Sequence, residues 1–321
     1  MGYGEYSHAA HVAITAARLD AAPVFRADRS HPLMRPYGVT RECRDSEDHP
    51  ESLAIVFALD VTGSMGDIPR QLATATLPEF MAVLHDVGVQ HGQVCFLAVG
   101  HAGQDAAPLQ VGQFESTAAL IDQWLTHLWL EGGGAGQHEA YELAMYFVAR
   151  RMRLDCVEKR GRRGYLFLTG DVAPNPAVSS AEVARLLGDA LPGDVPIRDL
   201  IEALQQQVEP FFFLAPTAAL SVERAWRDLL GDRVVRMGDP EDAAHLAAAV
   251  IVLLEGAGAT LTGTIDRLLT QGMPRRRAAR IATALTTFAA GLGLDGAPRP
   301  WSRHADLPVG RPPSGMIRAP K

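Results

Sequence analysis

The sequence predicts a doubly wound α/β fold in which helices cover both faces of a mostly parallel sheet. Residues 53–59 and 164–169 are short apolar runs, too short to span a bilayer and too continuous for a strand with one solvated face. A helical pattern follows the first run at residues 67–85, with apolar positions along one stripe. Apolar runs and helical patterns then continue to alternate, which is typical of parallel strands joined by helices.

The remaining elements follow the same logic along the chain. A helix is predicted over residues 6–19, before a polar, irregular segment over residues 20–51. After the second run we expect the strands 210–214 and 233–236, and the helices 180–187, 197–207, 220–230 and 240–254. The predicted domains are an N-terminal arm (1–51), an α/β domain (52–256), C-terminal helices (257–293) and a Pro- and Gly-rich tail (294–321).

Composition favours an ordinary globular protein. The 321 residues are 47% hydrophobic and 21% charged, with a formal net charge of -7, which gives no electrostatic argument for binding nucleic acid. Neither a secretory signal nor a membrane span is visible in the sequence. The three cysteines, Cys43, Cys95 and Cys156, have no Cys-x-x-Cys spacing. We therefore predict reduced thiols, a cytoplasmic location and no association with membranes.

The most informative stretch is the end of the first apolar run. It places Asp60, Thr62 and Ser64 at alternate positions, with glycines at 63 and 66 that permit a tight backbone course. One carboxylate and two hydroxyls are oxygen donors suited to a hard divalent cation such as magnesium. The same residue types also cap helices, so the motif alone leaves that alternative open.

A second carboxylate follows the run at residues 164–169. Asp171 comes directly after Gly170 and before a Pro-Asn-Pro loop. If the two apolar runs are neighbouring parallel strands, Asp171 and Asp60 lie at the same carboxyl edge of the sheet, where open α/β folds bind ligands.

These residues carry a family resemblance. Asp-Val-Thr-Gly-Ser-Met at residues 60–65 resembles the Asp-x-Ser/Thr-x-Ser signature of von Willebrand factor A (VWA) domains, whose metal-ion-dependent adhesion site (MIDAS) binds a divalent cation. Leu-Thr-Gly-Asp at 168–171 is similar to the second acidic element of that family, although Gly170 and Asp171 stand in inverted order. The resemblance implies a Rossmann-like VWA fold with one antiparallel edge strand, expected near residues 110–114.

The resemblance also implies a third loop, whose counterpart is residues 131–141. The family supplies a threonine ligand there, but this chain has none. Gln137, His138 or Glu139 could replace it, or water could; we rank Glu139 first as an oxygen donor and His138 second, because imidazole suits softer metals. The expected metal ligands are therefore Asp60, Thr62, Ser64, Asp171, Glu139 and His138. The expected ion is magnesium, with manganese or calcium as alternatives.

The function implied by the resemblance is metal-dependent protein–protein interaction without catalysis. In that family the cation keeps an open coordination position, which an acidic residue of the partner fills. Intracellular bacterial members commonly act as adaptors or assembly factors in multiprotein complexes, often with an ATPase. The alternative is a metal-dependent phosphohydrolase that uses Asp60 as its nucleophile. Haloacid dehalogenase enzymes usually have a second Asp two positions later, where this chain has Thr62.

Overall fold

A six-stranded sheet forms the centre of the protein in this computed structural model, which describes residues 4–19, 25, 27–63, 65, 67–132, 138–256 and 259–294. In chain order the strands are β1 (Arg41–Cys43), β2 (Leu53–Asp60), β3 (Gly92–Val99), β4 (Leu109–Val111), β5 (Met152–Leu154), β6 (Gly164–Gly170), β7 (Ala177–Val178), β8 (Val195–Pro196), β9 (Val208–Leu214) and β10 (Val234–Arg236). The central sheet has the order β10-β9-β6-β2-β3-β4. Only β4, at one edge, runs antiparallel to its neighbour. The fold is thus the predicted α/β class.

Helices alternate with the strands of this sheet. They are α1 (His8–Leu19), α2 (Asp67–Gln71), α3 (Leu77–Asp86), α4 (Ala118–Thr126), α5 (Tyr141–Arg151), α6 (Asp155–Glu158), α7 (Ser180–Leu187), α8 (Ile197–Leu204), α9 (Leu220–Leu230), α10 (Ala243–Glu255), α11 (Leu261–Thr270) and α12 (Arg275–Leu292). One π-helical turn, Leu72–Thr76, joins α2 to α3. None of the described helices is both long and apolar enough to cross a bilayer.

Two apolar layers bury the central sheet. Alternate residues of β2 face opposite sides, so Phe57 joins the layer formed with α3, α10 and α12, and Val56 joins the layer formed with α5, α8 and α9. Because both faces are covered, β2 is buried along its whole length, as the continuous apolar run predicted. The carboxyl end of β2 is therefore held rigidly inside the protein.

Some predicted elements differ from the structure. The segment 20–51 was predicted to be irregular, but Arg41–Cys43 pairs in parallel with Met152–Leu154 in a separate two-stranded sheet. The sequence also predicts a helix over residues 137–153, but the helix begins at Tyr141 and gives way to β5 after Arg151. Three-residue strands with charged residues carry no apolar pattern, so this pairing could not be predicted from the sequence. Of the predicted tail, all but Leu294 lies outside the described residues.

The C-terminal helices are tied to the α/β domain by ion pairs. Arg277, in the first turn of α12, donates to Glu241, and Arg280 donates two hydrogen bonds to Asp242 at 2.6 and 2.7 Å. Asp242 is buried, whereas Glu241 and Arg280 are partly open to solvent, so only the Asp242 end of these contacts is shielded. The basic start of α12 thus has acidic partners within the chain itself.

We expect Phe167→Ala to lower the free energy of unfolding by about 3–5 kcal/mol, because it would leave a cavity in the middle of the sheet. The Phe167 ring centroid lies 5.4 to 5.7 Å from those of Phe57, Phe211 and Phe213. Urea unfolding measures the change. The control, Leu220→Ala, removes a side chain that is 67% exposed and should change the free energy by less than about 0.5 kcal/mol. A loss below about 1 kcal/mol for Phe167→Ala would contradict this packing.

Candidate metal centre

The centre of the candidate site is the carboxylate of Asp60, the last residue of β2, which is fully buried. Its Oδ1 accepts hydrogen bonds from the backbone N of Thr62 at 2.9 Å and from the Thr62 hydroxyl at 2.5 Å. Its Oδ2 accepts a hydrogen bond from the Tyr141 hydroxyl at 2.6 Å. Both oxygens are thus oriented by the protein, and the bond to the Thr62 backbone fixes the turn that leaves the strand.

Strand β6 brings the second element of the site beside Asp60. It pairs in parallel with β2, so both strands end at the same edge, and the backbone N of Asp60 donates to the Thr169 hydroxyl at 3.2 Å. Asp171 directly follows Gly170, the last residue of β6, and is partly exposed. Its negative charge contributes to raising the pKa of Asp60. The sequence placed Asp60 and Asp171 at one edge, and the structure does so too.

The inverted order of Gly170 and Asp171 has a steric reason. A Cβ atom at Gly170 would overlap the Tyr141 hydroxyl and lie 2.9 Å from the Phe212 ring. A residue with a side chain at this position would therefore push Tyr141 away from Asp60. The glycine is needed at the strand end itself, and the acidic residue follows it.

Glu139 is the most unusual side chain of the site. It is 2% exposed, and its Oε2 has no hydrogen-bond partner among the described residues. Burial raises its pKa to about 8, and the charges of Asp60, Asp105 and Asp171 add to the rise. A buried carboxylate without full hydrogen bonding is costly, so this oxygen is suited to a cation.

Glu142 and Asn175 form hydrogen bonds around Glu139. Glu142, also buried, accepts a hydrogen bond from the Asn175 side chain at 2.9 Å, and Asn175 contacts the Glu139 backbone carbonyl at 3.3 Å. Burial raises the pKa of Glu142 to about 7. Asp105 holds its own loop, since its Oδ2 accepts from the backbone N of His101 at 2.7 Å. This is the turn role expected for an Asp in a loop.

The structure gives less information on the other candidate ligands. The side chain of His138 is exposed, whereas that of the adjacent Glu139 is buried. Ser64 and Gln137 lie outside the described residues, as do Gly66 and most of the glycine-rich loop. Thr62 is 4% exposed and adjoins Asp60.

These residues fit a hard divalent cation in donor type. Carboxylates and a hydroxyl are the ligands such ions prefer, and the buried, unpartnered Oε2 of Glu139 gives the site an oxygen without a competing donor. No three His, Cys, Asp or Glu side chains within the described ranges are arranged to hold a metal. Of the two hydroxyl ligands predicted from the sequence, the structure describes Thr62.

Sequence reasoning missed Tyr141, Glu142 and Asn175. Tyr141 opens α5 and reads as a core aromatic, and it does pack on Trp226, with ring centroids 5.7 Å apart. The available signal was the pair of acidic residues that flanks it in Glu139-Ala-Tyr-Glu142, because an apolar helix rarely buries two carboxylates without a use for them.

Comparisons with known proteins give distant similarity in structure. No protein-family model matches the chain, and no curated protein matches it in sequence. The pilus adhesin SpaC from Lactobacillus rhamnosus GG, in its open conformation, is similar over 70% of this chain and 33% of its own, at 11% identity and a TM-score of 0.44. Proximal thread matrix protein 1 from the mussel byssus is similar over 65% of this chain and 48% of its own, at 12% identity and a TM-score of 0.42. For a form of the mussel protein with a zinc-occupied MIDAS motif, the TM-score is 0.40. The chain thus matches a third to a half of the length of those proteins.

We expect Asp60→Asn to stabilise the metal-free protein at pH 8. Burial raises the pKa of Asp60 from 3.8 to about 6, and this rise outweighs the lowering effect of the hydrogen bonds from Thr62 and Tyr141. A raised carboxyl pKa favours the protonated form in the folded state, so stability falls as the pH rises from about 4 through 6. Removing the charge should raise the free energy of unfolding by about 1–3 kcal/mol at pH 8 and change it little at pH 4.

Urea unfolding in chelator at both pH values measures this difference. Asp266→Asn is the matched control, because Asp266 is exposed on α11 and its neutralisation should leave the free energy of unfolding nearly unchanged. Equal or lower stability of Asp60→Asn at pH 8 would show that the buried charge carries no cost.

Proposed function

We propose that the carboxyl edge of the central sheet binds a divalent cation, magnesium first, and that this cation accepts an acidic residue of a protein partner. The observation that carries the proposal is the buried Oε2 of Glu139, which has no hydrogen-bond partner among the described residues and whose carboxyl is within electrostatic reach of Asp60 and Asp171. The role agrees with the resemblance of residues 60–65 to the VWA signature and with the parallel α/β fold. In this proposal the protein is a cytoplasmic adaptor or assembly factor in a multiprotein complex, with an ATPase-containing complex as the expected partner.

The residues of such a site would have two roles, binding the cation and orienting its ligands. Asp60, Thr62, Ser64 and Asp171 would hold the cation, with Glu139 in place of the threonine of the third loop. Tyr141 orients Asp60 through its hydroxyl and so keeps the carboxylate aimed at the edge. The bound cation would supply a positive charge that an external carboxylate can approach. Hydroxyl ligands add no negative charge, so they leave the ion attractive to a further anion.

The phosphohydrolase alternative is less well supported. Thr62 stands two positions after Asp60, where haloacid dehalogenase enzymes usually have the second Asp that acts as acid and base. Turnover of p-nitrophenyl phosphate that depends on magnesium and is lost in Asp60→Asn would support this alternative instead.

Calorimetric titration with magnesium and manganese tests the ligand set. Asp60→Asn should abolish binding, and Glu139→Gln should weaken it about 10-fold, because a supporting carboxylate is lost while the side-chain shape is kept. Ser64→Ala should weaken binding less than Asp60→Asn, since water can replace a hydroxyl. Asp266→Asn is the matched control and should bind as the wild type does, because Asp266 is an exposed carboxylate on α11 that is not among the predicted ligands. Unchanged affinity in Asp60→Asn would refute the site.

The open coordination position can be tested with bound manganese as the probe. Manganese that keeps exchangeable water enhances the relaxation of water protons, and a ligand that displaces the water lowers this enhancement. A short glutamate-containing peptide should lower the enhancement, whereas the same peptide with glutamine should not. Equal effects of the two peptides would contradict recognition of an acidic group, even if the metal itself binds.

A further inference from the structure

We propose that the opposite edge of the central sheet carries a second cation site, in which His49 and His91 bind a divalent metal of the zinc class. His49 lies shortly before β2, and His91 directly precedes β3. The first residues of these strands are paired, and the backbone N of Leu53 donates to the His91 carbonyl at 2.9 Å. Seven residue steps of β2 separate this edge from Asp60, or about 23 Å. The inference therefore does not depend on the proposed function.

The distance between the two imidazoles favours a shared metal. Their Nδ1 atoms are 3.4 Å apart, with the rings inclined at 76°. Hydrogen bonds from N–H donors are usually about 2.7–3.2 Å long, so this separation is long for a direct bond. Two nitrogens bound to one tetrahedral zinc, each at about 2.0–2.1 Å, are about 3.3–3.4 Å apart. The observed spacing matches that of two ligands of one ion, and is at the long limit of a direct N–H···N hydrogen bond.

The contact of the other ring nitrogen of His49 selects its neutral tautomer. His49 Nε2 lies 2.9 Å from the carbonyl oxygen of Gly4, and only an N–H can donate to a carbonyl. In the neutral ring Nδ1 therefore presents a lone pair toward His91. Metal-bound histidines commonly donate their second ring nitrogen to a backbone carbonyl in this way, which fixes the ring and its tautomer. His49 is 3% exposed, while His91 is only partly buried, so an ion can reach the pair from the His91 side.

The donor set indicates the class of ion. Imidazole nitrogens suit zinc, copper, nickel and cobalt rather than magnesium. No third His, Cys, Asp or Glu side chain joins the pair in a metal-binding arrangement within the part of the chain that the structure describes. Water would complete the coordination, which makes the site exchangeable rather than a permanent structural centre.

Such an ion would act on the N-terminal arm. Gly4, ahead of α1, is held by three contacts: its carbonyl accepts from His49 and from the Ser116 hydroxyl at 3.1 Å, and its N–H donates to Asp48 at 2.8 Å. A metal on Nδ1 withdraws electrons from the ring and makes the Nε2–H a stronger donor. Binding of the ion would therefore tighten the attachment of the arm to the body.

The test uses the full chain with Asp60→Asn, so that the carboxyl edge does not compete for metal. Zinc calorimetry should show one equivalent bound, and copper electron paramagnetic resonance should show coupling to two imidazole nitrogens. His91→Ala should lower the zinc affinity at least 10-fold and remove one imidazole coupling. His8→Ala is the matched control, because it removes an exposed histidine of α1 and should leave both readouts unchanged.

A second variant and a second readout guard against misfolding. His49→Gln keeps an amide that can donate to the Gly4 carbonyl but loses the ligand, so it should also lose zinc binding while its circular dichroism stays native. Zinc should slow amide hydrogen exchange in residues 4–19 of the parent chain and not in His91→Ala. Absence of zinc binding, or equal binding in parent and His91→Ala, would overturn the proposal.

Discussion

The buried carboxylate of Asp60 is the constraint on which the site depends. A charge at the end of a fully buried strand is stable only if the protein supplies donors, and three hydrogen bonds from Thr62 and Tyr141 do so. These donors impose conditions of their own, since Tyr141 reaches Asp60 only because Gly170 has no side chain. The local sequence at three separate places in the chain is thus set by one carboxylate.

The cost of this arrangement is not fully offset within the chain. Glu139 and Glu142 are both buried, and each has one carboxylate oxygen without a hydrogen-bond partner among the described residues. Proteins rarely bury several carboxylates close together, because each raises the pKa of the others and resists ionisation. A divalent cation removes this repulsion directly. The proposed cation would thus offset a cost that the described residues leave in place.

The predictable parts of this structure are those that depend on long apolar runs. Asp60 and Asp171 could be placed at one edge because the carboxyl ends of neighbouring parallel strands must meet there. Tyr141 could not be assigned, because an aromatic residue before an apolar helix has the same pattern whether its hydroxyl is used or not. Strand β1 was missed because its pairing with β5 depends on residues more than a hundred positions away, and neither strand has an apolar pattern of its own. Sequence periodicity does not predict which group a polar atom will bond to.

The two edges of the central sheet differ in chemistry in a way that follows from its topology. Ligand-bearing loops at the carboxyl edge lie beside helix N-termini, whose partial positive charge favours carboxylates such as Asp60. The amino edge lies beside helix C-termini, whose partial negative charge favours cations, and the imidazoles of His49 and His91 approach each other there to 3.4 Å between their Nδ1 atoms. At about 23 Å the edges are further apart than the Debye length of about 8 Å at physiological salt. A hard ion at the carboxyl end of β2 and a soft ion near its amino end would therefore have little electrostatic effect on each other.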